Sequence, residues 1–222
     1  MARFRISLIS LLLLVCCHSC WLENPDMEHF VPSYVIEYQV NPSDVLLDVR
    51  NRDICLSLLF EKSVGCLSTG GDYDQYEALC EENGDTDYNR LVWFFEGVPR
   101  PGEVATSFSP DLVSVNVTSD QEFDALHPVG TSLNDCIQIK YASILPYIAS
   151  GYDRAQRPIV KVQNLGEVKP VDLRLLQKLK TDGCFLRLSF HKLPDESSVH
   201  TLTISVVFAN NQEYKCTIDY EF

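Results

Sequence analysis

Beyond residue 20 this chain has no apolar run approaching the ~18 residues that a bilayer-spanning helix needs, so no membrane anchor is expected there. It is short of basic side chains: 18 Lys and Arg stand against 31 Asp and Glu, a formal net charge of -13. A surface of that sign repels nucleic acid and anionic membranes, and it favours basic protein partners or plain solubility. There is no G-x-S-x-G, H-E-x-x-H or P-loop, which removes the best-marked hydrolase, metalloprotease and nucleotide-binding chemistries. After residue 20 there is no C-x-x-C pair, and no His stands at finger distance from a Cys pair. No zinc ligand set, and no metal or cofactor, is therefore expected. Internal repeats, low-complexity tracts and Pro/Ser/Gly-rich linkers are also missing.

The N-terminus carries the clearest signal. Met1–Arg5 holds two arginines, Ile6–Val15 is almost wholly apolar, and small residues follow in Cys16–Cys20. That order of basic, apolar and small residues is the pattern of a secretory signal peptide. Residues 1–19 are read as the signal, and 20–222 as one extracellular domain. Removing Arg3 and Arg5 takes the charge from -13 to -15, because every acidic residue lies in the remainder. In an oxidising compartment the body cysteines Cys55, Cys66, Cys80, Cys136, Cys184 and Cys216 read as three disulfides. Their connectivity, and the fate of Cys20, are open.

Period-two alternation dominates the body. Tyr34, Ile36, Tyr38 and Val40 share one parity; Val113, Val115 and Val117 share another, as do Ile137, Ile139 and Tyr141. Ile54–Phe60 and Arg90–Phe95 are dense apolar runs that suit buried strands. Near the C-terminus three rows follow: Cys184, Leu186, Leu188, Phe190; then Leu202, Ile204, Val206, Phe208; then Tyr214, Cys216, Ile218, Tyr220, Phe222. Breaks at Pro194–Ser198 and Asn210-Asn211 make these a three-strand meander. Val171, Leu175, Leu176 and Leu179 recur at helical spacing between Pro170 and Gly183, with Lys178 and Lys180 at the C-terminal end, which predicts an amphipathic helix packed on a sheet. Gly97–Gly130, outside the strand at Leu112, reads as long loops. The fold class expected is mainly β: an antiparallel β-sandwich with one amphipathic helix and long loops, disulfide-bonded.

The strongest candidate site is acidic. Asp72, Asp74, Glu77, Glu81, Glu82, Asp85 and Asp87 crowd a stretch that also holds Tyr73, Tyr76 and Tyr88, and no Lys or Arg occurs from Ser68 to Asn89. Read as a loop, it concentrates negative potential and offers aromatic faces to Arg or Lys side chains. Its tyrosines, flanked by carboxylates, are candidate sulfation sites, and a Cys66–Cys80 bridge would pin it. A solvated loop without a partner fits the same residues. Calcium fits poorly, because the central Gly and distal Glu of an EF-hand loop are missing. Asn116-Val117-Thr118 is a glycosylation acceptor on the polar side of its strand. His191 and His200 stand at the ends of two successive strand segments, where a hairpin would bring them together and leave them solvated.

The signal segment, the acidic Tyr-containing stretch and the alternating strand Glu213–Phe222 together resemble the secreted chemokine- and cytokine-binding β-sandwich proteins of large DNA viruses. The resemblance lies in architecture and charge and carries no diagnostic motif. It implies a secreted immune-evasion decoy that captures a basic chemokine or cytokine, with Asp72, Tyr73, Asp74, Tyr76, Glu77, Glu81, Glu82, Asp85 and Asp87 as the ligand-binding candidates. The alternatives are a secreted structural or adhesive glycoprotein and an extracellular enzyme, although no catalytic residue stands out.

Overall fold

The alternating apolar rows pair into three sheets. The computed structural model describes residues 26–95, 98–99, 104–179, 183–196 and 198–222. The expected signal segment, residues 1–19, lies outside them, as does Lys180. The strands are β1 (Asp26–Val31), β2 (Val35–Arg50), β3 (Asp53–Gly65), β4 (Arg90–Phe95), β5 (Val98–Pro99), β6 (Ala105–Phe108), β7 (Leu112–Ser119), β8 (Ile137–Tyr141), β9 (Lys161–Asn164), β10 (Leu186–Phe190), β11 (Val199–Phe208) and β12 (Glu213–Glu221). Among the described residues two α-helices, α1 (Gly71–Asn83) and α2 (Leu145–Ala149), interrupt them. With 49% strand and 17% helix, the chain is mainly β. No helix among the described residues is long and apolar enough to cross a membrane.

The largest sheet runs β6-β2-β3-β10-β8-β9, a second runs β12-β11-β7, and a small third runs β1-β4-β5. Pairing is antiparallel except between β2 and β6. The first two sheets share one core. Leu56, Ile139 and Leu188 of the large sheet pack with Val117, Ile204 and Phe208 of the second. Burying an aliphatic or Phe side chain of this size contributes ~1.5–3 kcal/mol, so this cluster dominates stability. A second cluster joins Val35, Tyr38 and Val64 to Tyr76 and Cys80 of α1, Phe94 of β4 and Tyr147 of α2. The long β2–β3 hairpin runs through both clusters and ties them together. Its turn residues Asn51 and Arg52 both take positive φ, 54° and 66°, the twist a two-residue hairpin turn requires.

Several expectations hold at residue level. Ile137, Ile139 and Tyr141 are fully buried, and the inward rows of β10 and β11 are as read. The Asn210-Asn211 turn forms with Asn211 at φ 64°. Strand β7 departs in one place. Leu112 pairs with Phe208 and Ser114 with Val207, so Val113 is the extra residue of a bulge. The bulge flips the parity, leaving Val113 exposed and Leu112 buried.

Two expectations are overturned. The C-terminal meander is only half present: β11 and β12 form a hairpin, but β10 lies in the other sheet between β3 and β8. Strand β7 takes the place beside β11 that β10 was expected to fill. An inward row tells which face of a strand is buried, not which strand lies next to it.

The expected helix over Val171–Leu179 does not form. A short 3-10 turn, Pro170–Leu173, is followed by irregular chain with Leu175 at φ 46°. The leucines 173, 175, 176 and 179 are all buried, but their backbone is held from outside. Ser143 Oγ donates to Arg174 O, Ser107 Oγ to Leu176 O, Ile144 N to Leu175 O, and Leu175 N to Asp111 Oδ1. Tertiary partners satisfy the groups that a helix would have paired internally. Part of the expected loop region is also strand, namely β5 and β6.

Candidate functional site

The acidic stretch is a helix, not a loop. Gly70 precedes α1 with φ 60°, and Asp72 and Asp74 occupy its first turn, where carboxylates favour the positive end of the dipole. Gly84 ends it in the left-handed conformation. There Gly84 N donates to Glu81 O and Asp85 N to Cys80 O, the paired bonds of a Schellman stop. Tyr76 and Cys80 face inward, while Tyr73, Leu79 and Asn83 are half-buried.

This geometry divides the candidate residues. Asp72, Asp74, Glu77, Glu81, Glu82 and Asp87 are exposed. Asp72 is not free of basic neighbours, because Lys62 reaches it from β3 at 2.5 Å. Tyr76 and Tyr88 are buried, and the Tyr76 hydroxyl donates to Val35 O at 3.1 Å. Burial pushes the Tyr76 phenol well above its usual pKa. Neither ring is open to a ligand cation or to sulfation in the folded chain. Tyr73 remains half-open.

Asp85 leaves the acidic surface altogether. It is 0% exposed. Its carboxylate accepts the backbone N–H groups of Tyr34 at 2.8 Å and Val35 at 2.7 Å, and the Tyr152 hydroxyl at 2.8 Å. Burial raises its pKa, and those three donors pull the other way. It pins the end of α1 to the start of β2.

The six body cysteines are unbonded thiols in the structure, so the expected disulfides are not seen. Cys55 and Cys184 nevertheless approach to 2.6 Å, in a small buried cluster with Ala142 and Leu179. Cys216 instead sits 2.9 Å from Val45 O. Burial raises the thiols of Cys66, on the turn after β3, and of Cys136, each to about 11. Asn116 lies on β7, half-buried, and its Oδ1 accepts the Ser132 hydroxyl at 2.6 Å.

His191 and His200 do not form a solvated pair, because β10 and β11 belong to different sheets. His191 is exposed. His200 is 1% exposed, with Nδ1 2.8 Å from Ser119 Oγ and its ring edge-on to Phe123 and Phe222. This Ser–His contact is enclosed, so it works as a packed polar pair inside the core.

One grouping went unread in the sequence. The side chains of Asp124, His127 and Cys136 bring their ligand atoms within 4.8 Å of one another. The imidazole lies between two carboxylates, with Nδ1 2.6 Å from Asp124 Oδ1 and Nε2 2.8 Å from Asp135 Oδ1. Asp135 also takes Lys192 Nζ at 2.8 Å. The Lys192 and His127 contacts together hold the Asp135 carboxyl down at about 2. The signal available was Asp124-x-x-His127, followed by the adjacent Asp135-Cys136. It contains no Cys pair, so a search for finger spacing passes over it.

Comparison with known proteins finds no matching family model, no matching curated protein and no matching solved structure.

Proposed function

We propose that this chain is an exported β-sandwich binding protein that captures a basic extracellular protein, of the chemokine or cytokine class, on the exposed face of α1. The observation that carries the reading is where the helix keeps its charge. Glu81 and Glu82 stand in the last turn, which holds no basic residue. Carboxylates there oppose the negative end of the helix dipole, at ~0.3–1 kcal/mol each. Glu77 and Glu81 also repel each other at i, i+4. Asp74 is accounted for by the dipole, but folding alone gives no reason to add the exposed carboxylates of Glu77, Glu81 and Glu82 toward the other end of one short helix. Attraction of a basic partner does. The acidic net charge and the resemblance to viral chemokine- and cytokine-binding decoys support the same reading, and that resemblance makes immune evasion the purpose of capture.

The test is binding kinetics with a panel of basic chemokines and cytokines, using the parent and the variant Asp74→Asn, Glu77→Gln, Glu81→Gln, Glu82→Gln. Attraction between exposed charges is screened as the Debye length falls from ~10 Å at 0.1 M salt to ~3 Å at 1 M. The association rate of the parent should therefore fall steeply with salt, and the variant should associate slowly at low salt with a smaller change in off-rate. No binding across the panel, or binding indifferent to both salt and substitution, refutes the reading.

A further inference from the structure

We propose that Asp124, His127 and Cys136 form a binding site for one zinc-class divalent ion, with Asp135 orienting the imidazole from behind. The site is independent of the acidic helix. It is built at the meeting of two turns. Asp124 closes a tight turn in which its Oδ1 accepts the N–H groups of Leu126 at 2.8 Å and His127 at 2.9 Å. Cys136 ends the 3-10 turn Asn134–Cys136 that leads into β8. Its carbonyl accepts the N–H of His191 at 3.0 Å, which anchors the Cys136 backbone at this point. Cys136 is 0% and His127 7% exposed.

The donor set is the first reason for a metal. One imidazole nitrogen, one sulfur and one carboxylate oxygen suit zinc, which takes mixed N, S and O ligands. Bond lengths of ~2.0–2.3 Å in a tetrahedron place neighbouring donor atoms ~3.3–3.6 Å apart. Cys136 Sγ already lies 3.9 Å from Nδ1 and 3.8 Å from Nε2. These separations exceed the tetrahedral spacing by a few tenths of an ångström, so capture draws Sγ toward Nδ1 while Nε2 stays on Asp135. The 2.6 Å Nδ1–Oδ1 contact then opens by roughly 0.7 Å to reach the zinc-ligand spacing, with the ion in place of the shared proton and the Cys136 thiol proton released to solvent.

The second reason is the outer shell. Asp135 Oδ1 accepts from Nε2 and is itself held by Lys192. Nδ1 gives up its hydrogen bond to Asp124 when the ion enters, while Asp135 keeps the Nε2 hydrogen and with it the orientation of the ring. The third is access. A cavity of about 400 Å³ is bounded by Gln121, Glu122, Phe123, Asp124, Asp195, Glu196 and Ser198. Asp124 is shared between that cavity and the cluster. The other three carboxylates on the wall raise the local concentration of cations.

The test uses the full mature chain, reduced and freed of metal. Titration with Co²⁺ should give one bound equivalent and a thiolate-to-cobalt charge-transfer band. Cys136→Ser should abolish the band. Asp135→Asn should keep it but weaken affinity roughly 10–100-fold, as loss of an outer-shell carboxylate does elsewhere. Should a variant fail to fold, X-ray absorption of the zinc-loaded parent decides alone: one sulfur at ~2.3 Å with nitrogen and oxygen at ~2.0–2.2 Å is expected. Failure to bind an equivalent, a shell with no sulfur or with two, or a band that survives Cys136→Ser overturns the assignment.

Discussion

Replacing Asp85 by Ala should be among the most damaging single changes in this protein. The carboxylate receives two buried backbone N–H groups and one part-buried phenol hydroxyl. Each buried donor left without an acceptor costs about 1–3 kcal/mol. The two buried N–H groups and the part-buried hydroxyl together set a loss of about 3 kcal/mol, after which relief from burying a charge returns a part. In a domain of 150–250 residues a loss of that size lowers the melting temperature by roughly 6–12 °C. Asp85→Asn should fall between parent and Ala. It keeps one oxygen for Tyr34 N–H and the Tyr152 hydroxyl, and turns its NH₂ against Val35 N–H. The pH dependence has a definite sign. Burial raises the pKa in the folded state, so the native chain binds the proton more tightly than the unfolded chain. The Asp85 contribution is then fullest below the ordinary carboxylate pKa of ~3.9 and declines as pH rises through the raised value. The Ala penalty should accordingly be larger near pH 4 than near pH 8. Urea unfolding of parent, Asn and Ala forms at both pH values measures all of this. An Ala penalty under about 1 kcal/mol, or one that grows with pH, would refute the reasoning.

Two further outcomes follow from the cores and the thiols. Digestion of the chain purified without reductant should yield a peptide pair linking Cys55 to Cys184, the thiols that approach to 2.6 Å; a different partner for either residue in the peptide map would contradict that pairing. Ile139→Ala, at a fully buried position where the two larger sheets meet, should lose 2–5 kcal/mol of unfolding free energy by chemical denaturation, whereas Val113→Ala on the exposed side of the β7 bulge should change it by no more than about 0.5 kcal/mol.

Local rules carried much of the architecture. Alternation marked β8, β10, β11 and β12, and the Asn pair marked the turn between the last two, because a strand half-covered by a core writes period two into its own residues. The charge of the Asp72–Asp87 stretch was equally plain. Its helix was legible in principle, in Tyr73, Tyr76 and Cys80 at helical spacing ahead of Gly84, but the density of carboxylates hid that rhythm. What depended on distant partners could not be read in this way. The segment Val171–Leu179 has the spacing of a helix, yet Asp111, Ser107, Ser143 and Ile144 claim its backbone groups and hold it irregular. β10 and β11 are consecutive in the chain but lie in opposite sheets, since an apolar row is satisfied by any neighbour that completes the core. Asp85 looked like one surface acid among many until the start of β2 was folded over it. Asp124, His127 and Cys136 became a cluster only when two turns met. Sequence alone determined which faces are buried and where charge gathers, because those follow from the chain's own local periodicity and composition. The tertiary structure decided which faces meet and which charges are withdrawn from water, because hydrogen-bond partners and packing neighbours are chosen across the fold.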